Sequence, residues 1–146
     1  MKQYENQGFE VVPGFIPPYF AQYLRVYFDT LRQNDQIPNK GDEQVEKSLG
    51  IYGDPAFDVV MAMALPLVER VVGKKLFPTY TYARMYFNGA DLLPHKDRKE
   101  CQHSVSLSLG GDYESLWPLS FASGENPVPV GLSEGDAVVY KGNEVV

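Results

Sequence analysis

Hydrophobic positions change their spacing partway along the chain. After a short apolar segment from Phe9 to Ile16, Pro17 and Pro18 open a run in which Phe20, Tyr23, Leu24, Tyr27, Phe28 and Leu31 recur every three or four residues. That spacing predicts one face of a helix, with proline at its first positions. The polar stretch from Pro38 to Gly50 has no period and reads as a connecting loop of a length that often carries function. A second helix is predicted to begin at Asp54 as its cap and Pro55 as its first residue, with Phe57, Val60, Met61, Ala64, Leu65 and Val68 on one face and Gly73 ending it. Pro66 lies inside it, deprives the Ala62 carbonyl of its helical partner and is expected to kink it.

From Leu76 onward the pattern is of short segments rich in Tyr, Val and Ser, punctuated by Gly, Pro, Asn and Asp. Such a pattern predicts a β-sandwich or barrel. Strands are expected at Leu76 to Phe87, Leu92 to Asp97, His103 to Leu109, Trp117 to Phe121, Val128 to Leu132 and Ala137 to Val146. The fold class is therefore α+β with a mainly β core. Residues 1–75 form a helical support region and 76–146 the core strands, joined as one domain because neither half has enough apolar residues to bury alone.

Composition narrows the functional classes. The 146 residues are 44% apolar and 22% charged, the balance of a globular domain. A net charge of −6 argues against a broad phosphate-tracking surface, so nucleic acid is not an expected partner. Cys101 is the single cysteine, and with no charged-apolar leader at Met1 the expected location is the reducing cytoplasm. The longest apolar stretch, Val59 to Val68, is interrupted by Pro66 and falls short of the ~20 residues of a membrane helix.

The candidate chemistry gathers at one dyad. His95, one of two histidines, stands two residues before Asp97, and on a strand the two would share a face and aim an imidazole nitrogen and a carboxylate oxygen at one ion, with Lys96 turned away. Two histidines and one carboxylate on one side of an ion make the facial triad of non-haem Fe(II) sites. Zinc accepts the same donors, and a surface hydrogen-bonded pair at a strand end needs the same spacing. Tyr80, Tyr82, Arg84 and Tyr86 alternate along one expected strand, where phenols and a guanidinium on one face suit a dicarboxylate. An inward arginine needs an anion, either a ligand or an acidic residue such as Asp91. Arg98, next to the dyad, is a candidate for holding an acidic group of a substrate. His103 reads as a strand histidine, and Lys141 and Trp117 as structural.

Several runs resemble the prolyl-4-hydroxylase-like branch of the Fe(II)/2-oxoglutarate-dependent dioxygenases. They are Pro78-Thr79-Tyr80-Thr81-Tyr82-Ala83-Arg84-Met85-Tyr86, Asn88-Gly89, His95-Lys96-Asp97-Arg98 and Ser104-Val105-Ser106-Leu107, followed by Trp117-Pro118 and the segment from Gly135-Asp136 to Val146. The resemblance implies a double-stranded β-helix, or jelly roll, with the N-terminal helices bracing its larger sheet. It also implies His95 and Asp97 as Fe(II) ligands and catalytic residues, with Tyr86, Arg84, Tyr82 and Ser106 binding 2-oxoglutarate. With Fe(II) and O₂, such a site decarboxylates 2-oxoglutarate to succinate and CO₂ and hydroxylates a C–H bond of a peptide, protein or small molecule, a prolyl residue being the first guess. The family's distal histidine would be the residue after Val146, with a basic co-substrate anchor beyond it. The resemblance thus implies that residues 1–146 are a C-terminally truncated domain with two of three protein ligands and little activity. Asp136 and Glu144 are the possible carboxylate substitutes within the chain, whereas His103 is a poor replacement because a different turn sets its place. The alternatives are a non-catalytic jelly-roll binding module and a zinc hydrolase using the same dyad. The Pro38–Gly50 loop is a candidate lid over the mouth of the fold.

Overall fold

The computed structural model describes residues 2–112, 117–122 and 125–145. In chain order the elements are α1 (Lys2–Gln7), β1 (Phe9–Val12), α2 (Pro18–Gln33), β2 (Ser48–Tyr52), α3 (Pro55–Val72), β3 (Tyr82–Tyr86), β4 (Ser104–Leu107), β5 (Leu119–Phe121), β6 (Val128–Val130) and β7 (Ala137–Tyr140).

Both expected helices form where their end signals place them. Pro17 and Pro18 start α2, whose buried residues are Ala21, Leu24 and Phe28. Tyr23, expected on the inner face, is 61% exposed, because the buried stripe runs through Ala21, Leu24 and Phe28. In α3 the Asp54 carboxylate accepts from the Ala56 amide, as a cap should. Gly73 ends the helix in the left-handed region at φ +81°, which costs glycine little. The helix runs through Pro66 for 18 residues. Among the described residues no helix is long and apolar enough to cross a membrane.

The strands differ more from expectation. Leu76 to Phe87 shrinks to Tyr82–Tyr86, since Pro78 lacks the amide a ladder requires. Leu92 to Asp97 is not a strand at all: Pro94 interrupts it, and the Asp97 amide donates to the Gly142 carbonyl instead of a neighbouring strand. Proline, glycine or a turn likewise trims the later strands, and β7 stops at Tyr140, where residues 141–145 fold into a turn closed by bonds from Glu144 and Val145 to the Lys141 carbonyl. Val146, expected as its last residue, lies outside the described residues. Helix α1 and strands β1 and β2 are absent from the sequence reading. The last two show why: β1 is four residues long, and β2 begins inside the polar loop.

The strands pair antiparallel as β1-β7-β4, β2-β3 and β5-β6. Side chains alternate between two faces along each strand. On one face Ala83 and Met85 of β3 and Leu107 of β4 join Ala21, Leu24, Phe28, Phe57 and Val60 of α2 and α3. Val139 of β7 joins Tyr4 of α1 and Val68 of α3 in the same way. On the other face Val138 and Tyr140 pack with Phe9, Phe121, Val130 and Val145. The helices therefore cover one side of the strands. Tyr82, Arg84, Tyr86, Ser104 and Ser106 point to the opposite side.

Candidate metal and ligand site

The backbone from Leu93 to Asp97 is extended without belonging to a sheet, and its side chains take over the hydrogen bonding. His95 Nδ1 donates to the Leu93 carbonyl at 2.9 Å, which leaves the Nε2 lone pair directed outward. Nε2 lies 3.6 Å from Asp97 Oδ1, with both side chains partly open to solvent. Ser104 Oγ donates to the other carboxylate oxygen, Oδ2, at 2.6 Å. Asp97 is thus held at both ends, by its amide on Gly142 and by its carboxylate on Ser104. Gly142 makes room for this arrangement: a methyl group there would come 2.5 Å from the Cys101 carbonyl, 2.7 Å from Asp97 Oδ2 and 2.8 Å from Ser104 Oγ. The Tyr140 hydroxyl lies in the same cluster. Burial first, and then the Asp97 charge, push its pKa up, so it remains an O–H group.

These donors suit a small divalent cation. Two ligands about 2.0 to 2.2 Å from one ion can be no more than ~4.2 Å apart, and 3.6 Å satisfies that. The Leu93 and Ser104 bonds fix the orientation of both donors, as partners behind metal ligands do. Among the described residues no group of three His, Cys, Asp or Glu gathers at one point. The possible substitutes lie elsewhere: Asp136 accepts from the Gly14 and Ser133 amides, and Glu144 pairs with Lys141 at 3.2 Å. His103 bonds the Tyr4 hydroxyl through Nδ1, and its Nε2 is buried without a hydrogen-bond partner among the described residues.

On β3, Tyr82, Arg84 and Tyr86 share a face as expected, whereas Tyr80 lies outside the strand. The guanidinium carbon of Arg84 is 4.8 Å from the Tyr82 ring centroid and 5.8 Å from that of Tyr86. Its anionic partner is Asp42, at 2.5 Å, and not the exposed Asp91. Asp42 belongs to the loop after α2, where its other oxygen accepts from the Gln44 and Val45 amides. Burial works against the Asp42 carboxylate, but the Val45 bond and the Arg84 charge outweigh it and hold the pKa below the usual range. Arg84 Nε is buried without a hydrogen-bond partner among the described residues. The Tyr82 phenol lies over Gly50, its register partner being Tyr52, and a methyl group on Gly50 would sit 1.9 Å from its oxygen. Ser106 faces the Tyr140 hydroxyl from β4.

A third group joins these two. Arg98 lies over the rings of Tyr80 and Tyr52, Tyr52 packs on Tyr82 with centroids 4.2 Å apart, and Tyr82 contacts Arg84. The Cys101 thiol donates to the Tyr80 hydroxyl at 3.6 Å. Trp117, expected to be structural, is half exposed. The sequence reading includes His95, Asp97, Arg84 and Arg98 but omits Ser104, Tyr140, Gly142, Asp42 and Tyr52 as site residues. Its usable signals are the Ser-x-Ser alternation of β4 and the Tyr-x-Gly that ends β7.

No family model and no curated protein matches the chain. Among solved structures it is similar to the crystal structure of a Pseudomonas putida prolyl-4-hydroxylase, with a TM-score of 0.76 at 16% sequence identity, covering 99% of this chain and 85% of that one. A likeness at that identity bears on the backbone alone: mixed helices and antiparallel strands in a prolyl-4-hydroxylase-like fold.

Proposed function

We propose that the protein is an Fe(II)- and 2-oxoglutarate-dependent dioxygenase of the prolyl-4-hydroxylase-like type, built on a double-stranded β-helix, that hydroxylates a C–H bond. The observation that carries this reading is the His95–Asp97 pair, with its two donors 3.6 Å apart on a fold similar to that of a prolyl-4-hydroxylase. His95 Nε2 and Asp97 Oδ1 are the donors for the metal. Bound Fe(II) would supply the redox chemistry by which O₂ and 2-oxoglutarate are converted to succinate, CO₂ and a hydroxylated product.

The chain's own residues bind and orient. Ser104 and the Gly142 carbonyl fix Asp97, and the Leu93 carbonyl fixes the His95 tautomer. Tyr86, Arg84, Tyr82 and Ser106 are the proposed contacts for the 2-oxoglutarate carboxylates. The support for them is that all four lie on the side of the strands away from the helices, and that Arg84 already holds a carboxylate. The loop carrying Asp42 would cover that group as a lid. Prolyl residues are the first substrate class to test, and the cytoplasm is the proposed location.

With two protein donors among the described residues, the protein should bind iron weakly and turn over little. The test is an anaerobic titration of the protein with Fe(II) and 2-oxoglutarate, following the visible charge-transfer band, with His95→Ala as the control. A band that is lost in the variant is the expected result. No band in a correctly folded protein would overturn the assignment in favour of a zinc hydrolase or a binding module.

A further inference from the structure

We propose that Arg98, braced by Tyr52 and Tyr80, is the docking point for a carboxylate on the primary substrate of the His95–Asp97 site. The inference rests on the reading of that site as a dioxygenase and names the class of molecule it acts on. Arg98 follows Asp97 directly, so the Cα atoms of the two residues are about 3.8 Å apart. Its guanidinium carbon is 5.7 Å from the Tyr80 ring centroid and 5.9 Å from that of Tyr52. The two rings meet at 54° with centroids 5.7 Å apart and form an angled wall.

Each part of this wall is anchored by something other than Arg98. Tyr52 ends β2 and packs on Tyr82. Tyr80 receives the Cys101 thiol. The turn that carries Arg98 is closed by the Cys101 amide donating to the Arg98 carbonyl at 2.8 Å. The brace therefore exists before any ligand arrives.

Charge supplies the second half of the argument. Arg25, Arg32 and Arg84 each pair with a carboxylate, Glu134, Asp29 and Asp42 respectively. Arg98, like Arg70, has no carboxylate within ion-pair distance among the described residues, although the chain carries a net charge of −6, and of these two only Arg98 is packed on aromatic rings beside the dyad. An arginine packed on aromatic faces keeps its planar N–H fork available for a bidentate partner and loses less freedom when it binds one. One guanidinium matches one carboxylate in charge and shape. A phosphate dianion would bring excess negative charge beside Asp97. The half-exposed faces of Tyr52 and Tyr80, at 49% and 39%, offer apolar cover to the carbon chain that bears the acid.

The experiment uses ¹⁵N-labelled protein and follows the Arg98 Nε–H resonance during titration with three probes. They are the blocked peptide Ala-Glu-Ala, its Gln counterpart and butyrate. The Glu peptide should half-saturate at a concentration at least about tenfold below that of the Gln peptide, the difference expected when a hydrogen bond to a charged partner is lost. Saturation by butyrate as well would identify the carboxylate alone as sufficient, and response to the peptide only would identify an acidic peptide. Backbone amides of residues 96–101 provide the readout in Arg98→Gln, which should lose the preference for Glu. Arg98→Lys, which keeps the charge but lacks the planar N–H fork, should lose most of it. Equal response to the Glu and Gln peptides overturns the proposal. An iron–2-oxoglutarate band without Glu preference overturns it alone, whereas Glu preference without any band overturns the dioxygenase reading alone.

Discussion

Gly142 lacks a side chain at a point where even a methyl group would press on the Asp97 carboxylate, the Ser104 hydroxyl and the Cys101 carbonyl together. Its φ is not in the left-handed region, so alanine is disfavoured there by space and not by backbone conformation. Gly142→Ala should cost about 1 to 3 kcal/mol of stability as an overpacked site. It should also weaken metal binding by about 10- to 100-fold, the effect of disturbing a residue behind a ligand. Ser104→Ala removes only the hydrogen bond and should lower metal affinity without the stability loss. Calorimetric metal titration beside urea denaturation distinguishes the two. At this scale the sequence shows the dyad, because His95 and Asp97 are two residues apart. It hides what holds the dyad, since Ser104, Tyr140 and Gly142 reach Asp97 only through the pairing of β4 with β7.

Among the elements, β3 and the loop after α2 depend on each other through one ion pair. The Arg84 side chain is 10% exposed and that of Asp42 34%. Removing the carboxylate leaves a nearly buried cation without an anionic partner, a change that costs about 3 to 5 kcal/mol when both partners are buried. Because Asp42 is partly screened by water, Asp42→Ala should cost less, about 2 kcal/mol. The double variant Asp42→Ala/Arg84→Met should recover part of that loss, and a double-mutant cycle in urea measures the coupling. The helices are legible because Pro18, Asp54, Pro55 and Gly73 mark their ends with strong local chemistry. The strands are only three to five residues long, too short for alternation to fix their limits. Strand β2 escapes notice because Gly50 and its polar neighbours look like the loop they leave. The partner of Arg84 lies 42 residues away, so choosing Asp42 over Asp91 requires the fold.

Across the whole molecule, α1 is fastened to the strands by the Tyr4 hydroxyl on His103. Burial and the Glu144 charge raise the Tyr4 pKa to about 12, so Tyr4 remains the donor and His103 Nδ1 the acceptor. Burial first, then the charges of Lys74 and Lys141, lower the His103 pKa below its ordinary value. The unfolded chain then binds more protons than the folded one as the pH falls below about 6.5, so stability drops toward acid and is restored above that value. A plot of Tm against pH between about 5 and 7 should rise, and His103→Gln should flatten it. The fold class and the position of the dyad are legible from residue order, and the backbone likeness to a prolyl-4-hydroxylase agrees with that class at only 16% identity. The layering of the strands is not legible, since it depends on which face of each short strand meets the helices. That layering has a simple arithmetic. In β3, β4 and β7, odd-numbered residues such as Ala83, Met85, Leu107 and Val139 meet the helices, and even-numbered ones such as Arg84, Ser106 and Tyr140 face the site. A library confined to even positions of β3 and β4 would vary what the protein recognises, while one confined to odd positions, or to the buried Val138 of β7, would vary how firmly it is built.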